Sequence, residues 1–341
     1  MKAASETPLG LVMLVHEDLE QVRRLIRHWA ENGCPVVVHV DKKVPDSDFD
    51  RLSQSVADIP SVYFSDRTEC KWGHWSLVQA TLAAAAQLLE RNQDIGHVGL
   101  VSGSCVPLRP VAELTDYLER HGHTDFIESV TAEDVPWTIG GLRLERFTLR
   151  FPFSWKRRRW LFDAYVELQR ALGVRRRLPA GIVPHLGSQW WCLTRSSLKA
   201  ILDDPRRSEF DRYFSKTWIP DESYFQTLVR RVSTSIESRS LTLSKFDPQG
   251  KPFIFYDDHL QLLLRTECFI ARKIWPGATR LFETFLKAGG PDPVHREPQP
   301  QRIDHILTLA GERKNTGRPG LYMQSRFPSK PAETGLTARH Y

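Results

Sequence analysis

Two adjacent acids, Asp221 and Glu222, directly follow Pro220 and precede a run with helical periodicity, in which Tyr224 and Leu228 lie on one face. Proline is favoured in the first turn of a helix, and acids are favoured there because they face unpaired N–H groups and the positive end of the helix dipole. Helix stability alone therefore explains such a pair. The chemical alternative is that the carboxylate of Glu222 is positioned to act as a general base that accepts a proton from a hydroxyl group.

Polar residues also stand at the ends of apolar runs that are typical of buried strands. Asp41 follows the run at residues 35–40, where it can accept hydrogen bonds from a ribose or a base, or can simply cap the loop. The next residues are Lys42 and Lys43, which argue against a divalent metal ion beside Asp41. The Ser-Gly-Ser sequence at residues 102–104 follows another run, and either binds a ligand or forms an ordinary tight turn.

Two further motifs combine aromatic rings with positive charge. Trp72 and Trp75 flank a glycine in a predicted loop, so one ring either stacks on a planar ligand such as uracil or anchors the loop in the core. Arg272 and Lys273 interrupt an apolar run near the end of the globular region. An anion such as a diphosphate would satisfy two cations at that place.

The motifs of several common enzyme classes are absent from the sequence. It contains no P-loop, no G-x-G-x-x-G after the first strand, no G-x-S-x-G and no H-E-x-x-H. The pattern therefore excludes a P-loop nucleotidase, a dinucleotide-binding enzyme with the usual fingerprint, an α/β-hydrolase and a zincin.

The charge of the chain favours an anionic partner. Its net charge is +6, and residues 143–177 carry eleven basic residues against three acidic ones. Within this segment, residues 155–160 (WKRRRW) interleave aromatic rings with cations. A solvated loop, a peripheral contact with an anionic membrane and a nucleic-acid stripe all fit that pattern.

The cysteines and the N-terminus favour a cytoplasmic protein. The five cysteines are scattered and include no C-x-x-C pair, which argues against a structural zinc site and a disulfide scaffold. Residues 1–8 do not resemble a signal peptide, and no run of 18 apolar residues exists. We expect at most peripheral binding to the inner face of a membrane.

Strand-like and helix-like segments alternate through residue 128, which predicts an α/β fold with a mostly parallel sheet flanked by helices. Strands are predicted at residues 9–16, 35–40, 61–64, 97–102, 125–128 and 185–193. Helices are predicted at residues 18–32, 47–57, 75–92, 111–121, 196–203, 259–266 and 276–287, besides the one that begins at Pro220. We expect one catalytic domain at residues 1–288, with an irregular basic insertion at 130–185, and a Pro/Arg-rich tail at 289–341. Ligands of such sheets bind beyond the carboxyl ends of the strands.

Eight stretches, taken in order, resemble the Core-2/I-branching β-1,6-N-acetylglucosaminyltransferase family, which also includes the peptide O-xylosyltransferases. They are VMLVHEDLEQVRRLIRHW, VVVHVDKK, KWGHWSLVQATL, VGLVSGSCVPL, DFIE, GSQWWCLTRSSLKAIL, IPDESYFQTLV and CFIARK. The resemblance covers roughly residues 9–275. It implies a GT-A-type (Rossmann-like) fold and an inverting transfer of a sugar from a UDP-sugar without a divalent metal or other cofactor. The family's eukaryotic members are secretory and carry a signal anchor, which we do not expect for this sequence.

The resemblance also implies where the donor binds. Val15, Asp41 and Trp72 fall where the family holds the uridine, and Ser102 falls at the sugar-facing strand end. Lys273, preceded by Arg272, matches a cation that neutralises the leaving diphosphate. Lys251 is the nearest candidate for a second such cation, with looser spacing. An enzyme without Mg²⁺ or Mn²⁺ must supply this positive charge from side chains.

Glu222 is the catalytic base by the same resemblance, with Asp221 beside it in a supporting role. Glu128, Arg143 and Arg146 are acceptor-binding candidates by position. The resemblance implies a glycan or glycoconjugate acceptor and no nucleic acid. The donor sugar stays open between GlcNAc, which we favour, and xylose. The rival hypothesis is a non-catalytic protein of the same fold that binds nucleic acid or an anionic surface.

Overall fold

The computed structural model describes residues 9–135, 142–152, 158–246, 252–287 and 291. Lys251 and the predicted tail at 289–341, apart from Pro291, lie outside these described residues. The twelve strands of the described chain are β1 (Leu9–Val15), β2 (Val36–Val40), β3 (Val62–Phe64), β4 (His97–Ser102), β5 (Val106–Pro107), β6 (Asp125–Phe126), β7 (Val130–Thr131), β8 (His185–Leu186), β9 (Cys192–Thr194), β10 (Ile236–Glu237), β11 (Thr242–Leu243) and β12 (Ile270–Ala271).

Helices lie between most of these strands. Those in the described ranges are α1 (Leu19–Glu31), α2 (Asp46–Gln54), α3 (Trp75–Arg91), α4 (Val111–Arg120), α5 (Glu145–Thr148), α6 (Arg159–Ala171), α7 (Arg195–Leu202), α8 (Arg207–Phe214), α9 (Tyr224–Val232), α10 (Leu260–Leu264) and α11 (Thr279–Phe285). None of them is both long and apolar enough to cross a membrane.

The predicted mostly parallel sheet is confirmed. Seven strands pair in the order β10-β6-β9-β4-β1-β2-β3. Strand β1 runs parallel to both β2 and β4, whereas β9 is antiparallel to its neighbours β4 and β6. The central strand β1 is buried along its whole length, which explains its nearly continuous apolar sequence. The parallel arrangement brings the carboxyl ends of β1, β2 and β4 to one edge.

Amphipathic helices cover the sheet. The apolar face of α1 buries Val22, Leu25, Ile26 and Trp29, and α3 buries an alanine-rich face that includes Ala84 and Ala85. Small side chains on α3 permit close packing on the strands.

All five cysteines are unpaired.

Three predictions about local structure are wrong. Residues 130–185 are not uniformly irregular, because α6 forms thirteen residues of helix there. The predicted strand at 185–193 is two short strands, β8 and β9, joined by a loop. Pro220–Glu222 do not begin the amphipathic helix: they form a separate 3-10 turn, and α9 begins at Tyr224.

Candidate active site

Val15 and Asp41 lie side by side at the ends of β1 and β2. The Asp41 amide donates to the Val15 carbonyl over 2.8 Å. Asp41 is only 5% exposed, and its carboxylate accepts a hydrogen bond from the Lys43 amide over 2.9 Å. Arg67 donates to the Asp41 carbonyl at 3.0 Å. This network fixes the carboxylate at the sheet edge, where the sequence predicts a nucleoside contact.

Ser102 ends β4 at the same edge of the sheet. Its Oγ lies 3.1 Å from the hydroxyl of Ser104 and 3.2 Å from the thiol of Cys105. Gly103 allows the tight approach of this turn to α1, because an added Cβ would lie 2.5 Å from a methyl group of Val22. Residues 102–105, called here the serine turn, are therefore held close to the start of α1.

Lys273 reaches the same region from β12. The Ile274 amide donates to the Ser104 carbonyl over 3.2 Å, which draws the end of β12 towards the serine turn. The Lys273 ammonium pairs with the carboxylate of Glu17, and this hydrogen bond lowers the pKa of Glu17. Sequence reasoning did not single out Glu17 as a partner. The positively charged group predicted to hold a diphosphate is thus engaged by an acid of the chain.

Arg272 contacts a different side chain from its neighbour Lys273. Its guanidinium lies over the ring of Trp190, 4.2 Å from the centroid. Its Nε is buried and has no hydrogen-bond partner within the described part of the chain. Burial lowers the pKa of Arg272. A buried cation with an unused donor is suited to an anionic ligand.

The loop at residues 71–74, called here the tryptophan loop, connects the sheet edge to the acidic residues. Trp72 is 43% exposed, and Gly73 adopts a positive φ of 71°. The Gly73 carbonyl accepts a hydrogen bond from the Ile219 amide over 3.3 Å. Trp75 packs edge-on against Tyr224 with their centroids 5.3 Å apart.

Residues 219–222, called here the acidic turn, carry Asp221 and Glu222. Ile219 has a φ of 51°, a left-handed conformation that is a genuine outlier for a β-branched residue. The Glu222 amide closes the turn by donating to the Ile219 carbonyl over 3.2 Å. Strained backbone of this kind persists only where the surrounding structure holds it, and it is concentrated at functional sites.

Arg146 holds the acidic turn from beneath. The residue is fully buried, and its Nη2 donates to Glu222 Oε2 over 3.0 Å and to the Ile219 carbonyl over 3.1 Å. Its Nε donates to the Trp218 carbonyl over 3.3 Å. The Glu222 side chain remains 23% exposed. One guanidinium therefore fixes both the backbone and the carboxylate, and the carboxylate stays accessible.

Burial sets the protonation of the two acids. Burial, together with the smaller effect of the Glu222 charge, raises the pKa of Asp221 to about 7. Burial also raises the pKa of Glu222, which the charge and hydrogen bond of Arg146 oppose. Asp221 Oδ1 is buried without a partner among the described residues, so a neutral carboxyl is favoured there.

Glu128 lies across a glycine from Glu222. The Ser188 amide donates to Glu128 Oε2 over 3.0 Å, and the Gly187 amide donates to the Glu222 carbonyl over 3.1 Å. A Cβ on Gly187 would lie 1.8 Å from the Glu128 carbonyl oxygen, so only glycine fits. Burial raises the pKa of Glu128, and the charge of Glu222 adds to this rise.

The predicted site residues thus form two groups. Val15, Asp41, Ser102 and Lys273 stand around the strand ends, whereas Glu128, Arg146, Asp221 and Glu222 surround the acidic turn. Trp72 belongs to the loop that is hydrogen-bonded to the acidic turn. Arg143 is exposed one turn before Arg146. In the ranges that the structure describes, no three His, Cys, Asp or Glu side chains are grouped so that they could hold a metal ion.

The sequence is similar to two families and to several known proteins. The model of Core-2/I-branching enzymes matches residues 11–259, and the model of a family of unknown function matches residues 272–341. The Mus musculus beta-1,3-galactosyl-O-glycosyl-glycoprotein beta-1,6-N-acetylglucosaminyltransferase 4 is 25% identical over 229 residues, which are 65% of this chain and 47% of that protein. The Ovis aries beta-1,3-galactosyl-O-glycosyl-glycoprotein beta-1,6-N-acetylglucosaminyltransferase 3 is 22% identical over 232 residues, which are 67% of this chain and 48% of that protein. The chain spans about half the length of these curated relatives.

Proposed function

Because the chain belongs to the Core-2/I-branching enzyme family, we propose that it is an inverting, metal-independent glycosyltransferase that moves a sugar from a UDP-sugar to a hydroxyl group of a glycan acceptor. The relatives' names make GlcNAc the favoured sugar, with xylose as the alternative. The observation that carries the proposal is the accessible carboxylate of Glu222, held by the buried guanidinium of Arg146.

Glu222 acts as the general base in this mechanism. Its carboxylate accepts the proton of the acceptor hydroxyl while that oxygen forms a bond to the anomeric carbon. The bond from that carbon to the diphosphate breaks on the opposite face, which inverts the configuration. Burial supports the role because it raises the pKa of Glu222 and makes it a stronger base, while Arg146 keeps the carboxylate ionised and oriented.

The donor lies at the strand ends. Asp41 and Val15 hold the uridine, Trp72 stacks on its base, and Ser102 faces the sugar. The buried Asp41 carboxylate supports this role, since it is fixed at the sheet edge and can accept hydrogen bonds from a nucleoside.

Side-chain cations stabilise the leaving UDP in place of a metal ion. Departure of UDP develops negative charge on the diphosphate, and preorganised cations lower the energy of that state. Lys273 approaches from β12 beside the serine turn, and Arg272 has an unused buried donor. Lys251, outside the described residues, is proposed as the second cation that neutralises the diphosphate beside Lys273.

The acceptor side is formed by the acidic turn and its surroundings. Glu222 is close enough to Glu128 for its charge to raise the pKa of Glu128. The Ser188 amide binds the Glu128 carboxylate, and the Gly187 amide binds the backbone carbonyl of Glu222. We assign the acceptor sugar to the side of the acidic turn that carries Glu128, with the exposed Arg143 as a further candidate contact. Asp221, favoured as a neutral carboxyl, supports the turn.

Glu222→Gln tests the base assignment directly. The variant keeps the size and hydrogen-bonding capacity of the side chain, so UDP should bind with unchanged affinity in calorimetry. Slow release of UDP from UDP-GlcNAc or UDP-xylose should fall by about 10²–10⁴-fold, the usual contribution of a general base. Glu133→Gln, which changes an exposed acid outside the site, is the matched control.

Three outcomes would contradict the proposal. Retained turnover by Glu222→Gln would exclude Glu222 as the base. Activity that EDTA abolishes and Mn²⁺ restores would exclude the metal-independent mechanism. Failure of the unmodified chain to bind UDP or to turn over any member of a nucleotide-sugar panel would favour the non-catalytic alternative.

A further inference from the structure

Helix α6 presents an apolar ridge to solvent. Trp160, Ala164 and Leu168 recur every four residues and so lie along one side of the helix, and Leu172 continues that side just beyond its end. Trp160 is 72% exposed, Leu168 51% and Leu172 68%. A contiguous exposed set of large apolar side chains of this kind marks an interaction surface more often than scattered single residues do.

The opposite side of α6 is already engaged. Phe162 and Val166 are buried in a small hydrophobic cluster with Trp218 and Ile219, and the rings of Phe162 and Trp218 are 5.0 Å apart. Gln169 exchanges hydrogen bonds of 2.9 Å with the backbone of Arg150. These contacts fix the orientation of the helix, so its outer ridge cannot turn inward without breaking the packing beneath the acidic turn.

The sequence segment that contains α6 is strongly positive. Residues 143–177 carry eleven basic and three acidic residues, a net +8 in a chain whose total is +6, so the remainder of the chain has a net charge of −2. Arg150, Arg158, Arg175 and Arg177 are exposed and form no ion pair with another described residue. The arginines of α6 itself, such as Arg170, are paired with carboxylates.

We propose that the outer side of α6 docks on an anionic lipid surface. Trp160, Leu168 and Leu172 enter the boundary between headgroups and acyl chains, where tryptophan is favoured, and the unpaired arginines bind lipid phosphates. Each cation near such a surface contributes about 1 kcal/mol. Because α6 packs on the acidic turn, docking holds that turn about one helix diameter, ~10 Å, from the headgroups.

The combination of features favours lipid over nucleic acid. A nucleic acid would engage the arginines but would leave Leu168 and Leu172 in water, since its binding relies on phosphate charge and base stacking. A lipid interface satisfies both the exposed arginines of this segment and the aliphatic ridge. The proposal goes beyond the transferase activity and does not depend on it.

Flotation of the full chain with lipid vesicles tests the proposal. We expect binding to vesicles of equal parts phosphatidylcholine and phosphatidylserine, and weak binding to phosphatidylcholine alone. The double variant Trp160→Ser/Leu168→Ser, called here the ridge variant, should bind the anionic vesicles at least about tenfold more weakly. Each such apolar side chain contributes more than a factor of about ten to the affinity when it is fully buried. Arg175→Gln/Arg177→Gln should weaken binding and reduce its dependence on salt.

Val183→Ser is the matched control, because Val183 is 61% exposed but lies outside α6. Urea unfolding should show unchanged stability for the ridge variant, since both replaced side chains are exposed. Equal vesicle binding by the wild-type chain and the ridge variant would overturn the proposal. So would stronger binding to duplex DNA than to vesicles, or a concentration-dependent dimer that the ridge variant abolishes.

The result is separable from the transferase assay. The ridge variant should release UDP from the donor at the wild-type rate without vesicles, and Glu222→Gln should bind vesicles as the wild type does. If the wild-type chain binds vesicles but turns over no donor, only the enzyme proposal is refuted. If it turns over a donor but does not bind vesicles, only the docking surface is refuted.

Discussion

Replacing Arg146 by methionine removes a buried positive charge while keeping most of the side-chain volume. Breaking a buried ion pair by removing one partner destabilises a protein by about 3–5 kcal/mol. Glu222 is 23% exposed and can regain some hydration, which favours the lower end. The Trp218 and Ile219 carbonyls also lose a donor. We therefore expect Arg146→Met to lower the free energy of unfolding by about 3 kcal/mol, measured by urea denaturation.

The same substitution should shift the pH dependence of turnover. Burial raises the pKa of Glu222, and Arg146 opposes that rise. Without the guanidinium, the pKa of Glu222 rises further and a smaller fraction of the base is ionised at neutral pH. The acid limb of the kcat profile should move to higher pH, whereas a purely structural defect would lower kcat at every pH.

Two variants control this experiment. Arg143→Met removes an exposed cation from the same segment and should change the unfolding free energy by less than about 0.5 kcal/mol. Combining Arg146→Met with Glu222→Gln should destabilise less than the sum of the single changes, with a coupling of about 1–3 kcal/mol, because the glutamine leaves no buried charge unpaired. A loss below about 1 kcal/mol for Arg146→Met, with an unchanged pH profile, would refute the assigned role of Arg146.

Two further predictions concern Asp221 and Glu17. The pKa of Asp221 is raised from 3.8 to about 7, so the folded state retains a proton that the unfolded state has lost, and this contribution to stability declines as pH rises between those values. The difference in unfolding free energy between the wild type and Asp221→Asn should change by about 1.4 kcal/mol per pH unit in that window, and a constant difference would contradict it. Glu17→Gln removes the carboxylate that pairs with Lys273, so UDP affinity by calorimetry should rise a few-fold, a modest gain because Glu17 is 45% exposed. Glu20→Gln, on the exposed side of α1, is its control, and unchanged affinity for Glu17→Gln would show that Lys273 does not meet the diphosphate.

The sheet could be predicted from the sequence because its central strands have a distinctive composition. Strands buried on both faces need apolar residues at nearly every position, and β1 and β2 follow that rule. Their polar end residue Asp41 was therefore visible as a candidate. The alternation of such runs with amphipathic segments indicated the helices on both faces.

The organisation of the acidic turn could not be predicted in the same way. Arg146 and Glu222 are 76 positions apart, and nothing in the local sequence of either residue indicates their contact. The motif Pro-Asp-Glu fits a helix start, yet tertiary bonds to Arg146 and Gly73 hold it as a separate turn. Helix α6 was missed because basic residues precede it and its ridge faces solvent, which obscures the usual pattern of one apolar face.

Ile219 links the two halves of the candidate site. Its left-handed backbone costs about 1–3 kcal/mol, because a β-branched side chain is disfavoured there. Three features offset that cost: the Ile219 amide bonds to the tryptophan loop at Gly73, its carbonyl bonds to Arg146, and its side chain is fully buried. The first of these bonds comes from the loop assigned to the uridine. A change in the tryptophan loop therefore acts on the one strained residue of the acidic turn, two positions before Asp221. The position of the proposed base is thus coupled, through Ile219, to the loop proposed to hold the donor.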